Sequence, residues 1–593
     1  MLYKSSRLGF TSARALLLLT LGAAFTSACV GEDETPTPTP TPQGISASRP
    51  PPPISGGTLL VTADKKTAVA ADPDRDRIMI VDLAGRSVAA EIKLDMGDEP
   101  GRVVEGAPGR VFVALRHRGA IATIDLAQKK LVGQTDVCPS PRGMAYDNGQ
   151  LHVACAGGEL VTLDAATNAI MRRLNVADDL RDVVVQGSEL LVSQFRAAKV
   201  LRIDANGTIV DMQSTHPGGP FSFGMEGAVA WRMIALPSGG VGVVHQSAST
   251  EVVVPDKGGY GQPGPCSEGI VNSFVSVGMG GIGSVLESGK VLSKAALPVD
   301  MAISPDGTKF AVIAAGSHTV VEKDISPYVV AGKDGDCGPE DGDDVGQGQP
   351  IAVAYADSVR IIQTREPARI IVGASDVIEL GGEAMYDTGH AVFHQAANPT
   401  GSLACASCHP EGHEDGRVWQ FVNTGPRRTQ SIAGGILATA PFHWAGDLDG
   451  FDSLMSDVFT GRMSGRELVP AEKLAAAKWI DSIPTPVFTS VTDSAAVERG
   501  KAIYNDATVA CATCHSGARL TNNQTVDVGT FGALQVPSLQ GLAARAPYMH
   551  DGCAATLEDR FTNTACGGGD NHGRTSHLTS AQIADLVAFL KTL

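Results

Sequence analysis

Positive charge is scarce in this 593-residue chain, with 47 Lys and Arg against 64 Asp and Glu. An acidic balance of that size takes nucleic acid off the list of partners and leaves no basic patch for a membrane surface. The excess is scattered rather than run together, as solvation of a secreted protein would have it. Long apolar runs are scarce too. The stretch from Ala15 to Phe25 is too short to span a bilayer as a mature helix, which needs about 20 residues. Histidine is thin over the first two thirds, since nine of the 14 lie at or beyond His390. The length itself allows about three or four domains with large cores.

What is present at the N-terminus reads as an export signal. Lys4, Arg7 and Arg14 precede the apolar stretch, and small residues follow up to Ala28-Cys29. Thr26-Ser27-Ala28-Cys29 resembles the lipobox of bacterial lipoproteins, whose Cys is acylated, although Thr26 stands where Leu is usual. The expectation is a signal peptide over 1–28 and a lipid-anchored Pro/Thr-rich linker over 29–56, with ordinary signal cleavage as the alternative. Thr-Pro repeats and Arg49-Pro50-Pro51-Pro52-Pro53 would make that linker an extended tether. This places the protein outside the cytoplasm, as a periplasmic or outer-membrane lipoprotein of a Gram-negative bacterium that touches the membrane only through its lipid.

One pentapeptide pattern occurs twice. Cys405-Ala406-Ser407-Cys408-His409 and Cys511-Ala512-Thr513-Cys514-His515 both read C-x-x-C-H, the attachment signature of a c-type haem. Two thiols three positions apart can each form a thioether to one porphyrin edge, and the adjacent His then reaches the iron. A lone CxxC would suggest a disulfide or half a zinc site; the trailing His in both copies favours two covalent haems. Haem iron moves electrons or activates oxygen species, so the chain is expected to be a redox protein. Six of the 11 Cys remain after the haem and lipobox residues, and proximity pairs them as Cys138/Cys155, Cys266/Cys337 and Cys553/Cys566. Such disulfides suit the oxidising compartment to which the signal points.

Between about 57 and 375 the chain repeats. Val81-Asp82-Leu83, Ile124-Asp125-Leu126, Leu163-Asp164-Ala165 and Ile203-Asp204-Ala205 recur every 40 residues or so, each after a short β-branched run. Further copies are read at Val320–Asp324 and Val359–Gln363, and a degraded one around Glu251–Val254. A four-stranded unit of this period is a β-propeller blade, and about seven are counted. The phasing resembles the YVTN or lactonase-like seven-bladed propellers. A hydrolase of that kind is disfavoured, because the five His of residues 57–373 are scattered without a metal-ligand cluster. Two Gly-rich insertions, 255–283 and 333–349, read as long loops on one face. Their acidic Asp334, Asp336, Asp341, Asp343 and Asp344 allow a calcium site but lack the spacing of an EF-hand.

Beyond about 376 strand-like alternation stops. Helices are expected at Glu383–Gln395, Ala471–Ile483 and Ala495–Asn505, and a last one after the Thr579/Gln582 capping box, with Ile583, Leu586, Val587 and Leu590 in one stripe. The succession of Cys405–His409, Thr429-Gln430-Ser431, Pro441–Asp447, Arg499–Tyr504, Cys511–His515, Val536-Pro537-Ser538-Leu539 and Ala546–Gly552 resembles the di-haem cytochrome c peroxidases and their MauG-type relatives. The resemblance implies two mainly α cytochrome c-like domains, over 376–490 and 491–593, each holding one haem. His409 and His515 would be the proximal iron ligands, and Trp444 the tryptophan between the haems.

The distal ligands stay open. The family's Met position falls near Thr564, so His572 becomes the preferred ligand of the second haem, with Met549 or an open position as alternatives. At the first haem His443, next to Trp444, is better placed than His413, which is expected at the surface. His550 would support the second pocket. Where the family has an acidic residue before Met-Gly, this chain has Arg462-Met463-Ser464-Gly465, so the proton-transfer group is missing at that point, with Asp447, Asp449 and Asp452 as the candidates to substitute for it. The leading expectation is reduction of hydrogen peroxide or oxidation of a partner, fed by a small redox-protein donor. The alternative is a non-enzymatic di-haem relay whose propeller docks a redox partner.

Overall fold

The computed structural model describes residues 44–593 except 216–223, 262–268, 282–285, 326–341, 347, 399–400, 488–492 and 531. The signal, the lipobox, Cys266, Cys337 and the acidic residues Asp334, Asp336 and Asp341 lie outside the described residues. Seven four-stranded antiparallel meanders follow one another: Leu59–Lys93, Pro100–Asp136, Pro141–Asn175, Leu180–Ser214, Met225–Leu292, Pro298–Asp344 and Pro350–Glu379. They are the blades of a propeller.

The third strand of the first blade, Arg77–Asp82, shows why the sequence builds this form. Side chains alternate across a strand, and here both faces are buried. Ile78 and Ile80 pack with Val103, Val111 and Val113 of the second blade, whereas Met79 and Val81 pack with Ile361 and Ile370 of the seventh. Each such aliphatic side chain contributes about 1.5–3 kcal/mol on burial. First and seventh blades therefore close the ring by apolar packing, each keeping its own four strands. The repeated Asp ends the third strand and holds the following turn. Asp82 accepts from the amides of Ala84 and Gly85, Asp164 from those of Ala166 and Thr167, and Asp204 from that of Thr208.

Three expectations about this half change. Val359–Thr364 is the second strand of the seventh blade, whose third is Arg369–Val372, and the blade ends at Glu379 rather than 375. Glu251–Val254 is no blade strand; it lies in the connection between the second and third strands of the fifth blade. Residues 44–56 are packed rather than a free tether. Pro51 O accepts from Trp479 Nε1 at 2.9 Å, and the Ile54 amide donates to His394 Nε2 at 3.1 Å. A proline run has few N–H groups to satisfy, so it can be buried with its carbonyls paired.

The C-terminal part is helical around the two CxxCH turns. Thr388–His394 packs on Pro470–Asp481, and Ser494–Tyr504 crosses Ser580–Leu590. The first helix is shorter than expected because Asp387 caps it, accepting from the His390 amide. The Thr579/Gln582 capping box starts the last helix as expected. Gly500 sits where the two crossing helices touch. A Cβ there would lie 1.9 Å from Asp585 O, so only glycine permits the approach.

Candidate haem sites

Cys405–Cys408 and Cys511–Cys514 are each one short helical turn, followed directly by His409 and His515. The four thiols take no part in disulfides. Cys138–Cys155 and Cys553–Cys566 are bonded, as proximity suggested. Among the described residues no cluster of three His, Cys, Asp or Glu stands ready to hold a bare metal ion.

At the second motif the His515 and His572 rings lie 6.0 Å apart, centroid to centroid. Two imidazoles on opposite sides of one metal require about this spacing, since each metal–nitrogen bond spans about 2 Å and the ring radius adds the rest. His515 Nδ1 is 3.3 Å from Leu520 O; donating there leaves Nε2 with its lone pair. Burial drives the His515 ring down to about 4, so it is neutral at pH 7. The His572 loop is held by Arg560, which donates to Gly567 O and His572 O. Met549 lies near the same loop, with its Cε 3.7 Å from where a Gly567 Cβ would stand. These residues fit a bound haem.

At the first motif a cavity of about 420 Å³ is lined by Cys405, Cys408 and His409 together with Trp419, His443, Trp444 and Arg462. Burial lowers the His409 ring to about 4. His443 holds a left-handed backbone, φ 67°, and its Nδ1 is 3.4 Å from Asp447 Oδ1. Trp444 lies on the seam of the two cytochrome-like parts. Its Nε1 donates to Arg428 O at 2.7 Å, its carbonyl accepts from the Gln535 amide at 2.7 Å, and its ring is 6.3 Å from that of His550. His413 is half-buried in the turn after His409 rather than at the surface, because Glu411 and Glu414 on either side of it are drawn inward by arginines.

A cytochrome c family model matches residues 497–593. The chain carries a C-terminal cytochrome c domain. It is homologous to hydrazine synthase subunit gamma of Kuenenia stuttgartiensis, 29% identical over 273 residues that cover 35% of this chain and 76% of the relative. It is likewise homologous to the methylamine utilization protein MauG of Methylorubrum extorquens, 25% identical over 268 residues that cover 34% and 75%. A solved chain of Kuenenia stuttgartiensis hydrazine synthase aligns with a TM-score of 0.43 and 16% identity, over 55% of this chain and 96% of that one. A cytochrome c domain implies covalently bound c-type haem with its iron.

Sequence reasoning missed three residues around the first site, Tyr260, Glu414 and Glu411, and saw Arg462 only as a departure from the family's pattern. Arg462, at the place where the resemblance expects an acid, ends a π-helix, Met455–Arg462. It pairs with Asp457 at 2.6 Å and donates to the Tyr260 hydroxyl at 3.1 Å. Tyr260 belongs to the excursion of the fifth blade and lines the cavity. Backbone bonds fix it there, from Gly258 N to Gly461 O and from Tyr260 N to Arg462 O. The extra length of that blade was the only signal. Glu414 is the second; its Oε1 accepts from Arg428 at 2.6 Å and Arg545 at 2.9 Å, tying the two cytochrome-like parts together. Glu411 is the third, and it enters the propeller.

Proposed function

We propose that this chain is an exported, lipid-anchored cytochrome with two covalent haems, one on Cys405, Cys408 and His409 and one on Cys511, Cys514 and His515. In this reading it acts in the manner of the di-haem peroxidases and MauG. A small redox protein delivers electrons at the second site, and peroxide or an oxidisable partner is handled at the first. Bound haem supplies one-electron redox chemistry and, where a coordination position is open, activation of oxygen species.

The observation that carries this reading is an asymmetry. At the second site two neutral imidazoles face each other, an arrangement suited to electron transfer with no room for substrate. At the first, the CxxCH turn borders a cavity of about 420 Å³ that the attached haem would itself fill, and the groups beside that space are His443, engaged by Asp447, and Arg462, engaged by Asp457 and Tyr260. The protein's own residues would act as follows. His515 and His572 hold the second iron, and Leu520 O fixes the His515 tautomer. The Trp444 indole, held from both sides of the seam, provides an aromatic step between the sites. His443 and Arg462 orient what enters the cavity, and the apolar wall of Met455 and Phe459 excludes water.

The relay alternative keeps one observation in its favour. No carboxylate occupies the acid position, and Arg462 there is already engaged by Asp457 and Tyr260. Electron paramagnetic resonance of the oxidised protein, with and without peroxide, separates the two. A high-spin signal that responds to peroxide supports the enzyme; two low-spin signals indifferent to it support the relay. A pyridine haemochrome value of two haems per chain, falling by one in Cys408→Ala and in Cys514→Ala, must hold for either.

A further inference from the structure

The channel of the propeller is lined by charge because equivalent inner strands point polar residues at the axis. Arg102, Asp182, Arg232 and Asp300, from four blades, pair across it at 2.9 to 3.9 Å. Its mouth is filled by the cytochrome part. Glu411 is only 5% exposed, and its Oε1 lies 2.6 Å from Arg181 and 3.4 Å from Arg116. Its Oε2 is 3.3 Å from Arg142. These arginines come from three consecutive blades, and Arg181 also donates to Ser55 O and lies over the Phe195 ring. Arg116 and Arg142 have further partners in Glu99 and Asp179.

Glu411 is two residues past His409 and in the same turn, since the Gly412 amide donates to His409 O at 3.0 Å. Its φ is 54°, a left-handed conformation that is unfavourable for a residue with a side chain. Such a residue persists where its surroundings over-determine it, and three guanidinium groups do so here.

We propose that Glu411 and its arginine socket are a working part of the first haem centre: through this carboxylate the propeller positions His409 and sets that haem's reduction potential. The inference rests on the reading that a haem is attached at Cys405–His409. Reduction adds an electron near the socket, so each positive charge there favours the reduced form and each negative charge opposes it. Burial keeps the effect from being screened by salt.

The test compares Glu411→Gln and Arg116→Gln in the full-length, haem-loaded protein by spectroelectrochemical titration, the two haems being distinguished by spin state. Glu411→Gln is expected to shift the first haem's midpoint upward and Arg116→Gln to shift it downward, with the second haem unmoved in both. A merely structural loosening would move the first haem the same way in both variants, and that result overturns the proposal. So does an unmoved first haem, or an equal shift at the second. Should Glu411→Gln fail to fold, Arg142→Gln joins Arg116→Gln, and both must then lower the potential. A wild-type haem count below two would instead refute the attachment reading on which this inference stands.

Discussion

Glu414 offers a sharp test of how the two cytochrome-like parts are held. Its side chain is 2% exposed and carries one anion between Arg428 and Arg545. Burial works against ionisation, but Arg545 and Arg428 outweigh it and hold the carboxyl at about 2, below its ordinary 4.5. At about 1.4 kcal/mol for each pKa unit, the difference amounts to about 3 kcal/mol of stability. Removing one partner of a buried ion pair independently suggests about 3–5 kcal/mol. Because the folded pKa is the lower one, this stability is complete above pH 4.5 and is lost as pH falls towards 2. Burial also draws Arg428 down to about 10, which leaves it charged throughout that window.

Glu414→Gln keeps the shape and an acceptor oxygen but removes the charge. In urea unfolding followed at the haem Soret band, the variant is expected to lose about 3 kcal/mol at pH 7 and about half as much at pH 3. A difference below about 1 kcal/mol, as an exposed pair would give, refutes the assignment. A difference that does not change between pH 7 and pH 3 refutes the electrostatic origin.

His572→Ala is expected to turn one low-spin haem high-spin with attachment intact, and an unchanged ferric spectrum removes His572 as a ligand. Trp444→Ala should slow electron transfer between the haems in stopped-flow reduction without altering the spin state of either; an unchanged rate means the path runs elsewhere, for instance through His550. Tyr260→Phe releases Arg462 from its hydroxyl partner and should change the electron paramagnetic resonance signal of the first haem only. A change at the second haem would mean that the fifth-blade excursion acts through the seam rather than through the cavity.

What could be read from the sequence was whatever is encoded locally. The CxxCH turns, the capping box at Thr579 and the Asp that closes the third strand of the first four blades all lie within a few residues of the groups they serve. Blade strands are legible because each must be apolar on both faces, and one hairpin repeats the next. The signal failed where the repeat is interrupted. Val252 and Val254 look like strand residues, yet both are exposed and Val253 bridges to Phe421 of the cytochrome part. The contacts that build the first site span great sequence distances, 230 residues from Arg181 to Glu411 and 202 from Tyr260 to Arg462. A lone Glu after a haem motif and a lone Tyr in a glycine-rich insertion have no local pattern to betray them.

The Glu411 contact also bears on what the propeller can do for a partner. An open propeller mouth, ringed by inner-strand side chains, is a natural place for a ligand; here the chain's own loop sits in it. A docking partner would have to use another surface. Without the cytochrome part the mouth would open to water, which would solvate these arginines, while Glu99 and Asp179 would still pair with Arg116 and Arg142. The ion pairs of Glu411 join the two halves, and the candidate site at Cys405–His409 draws on both: His409 and its turn come from one, the arginine socket and Tyr260 from the other.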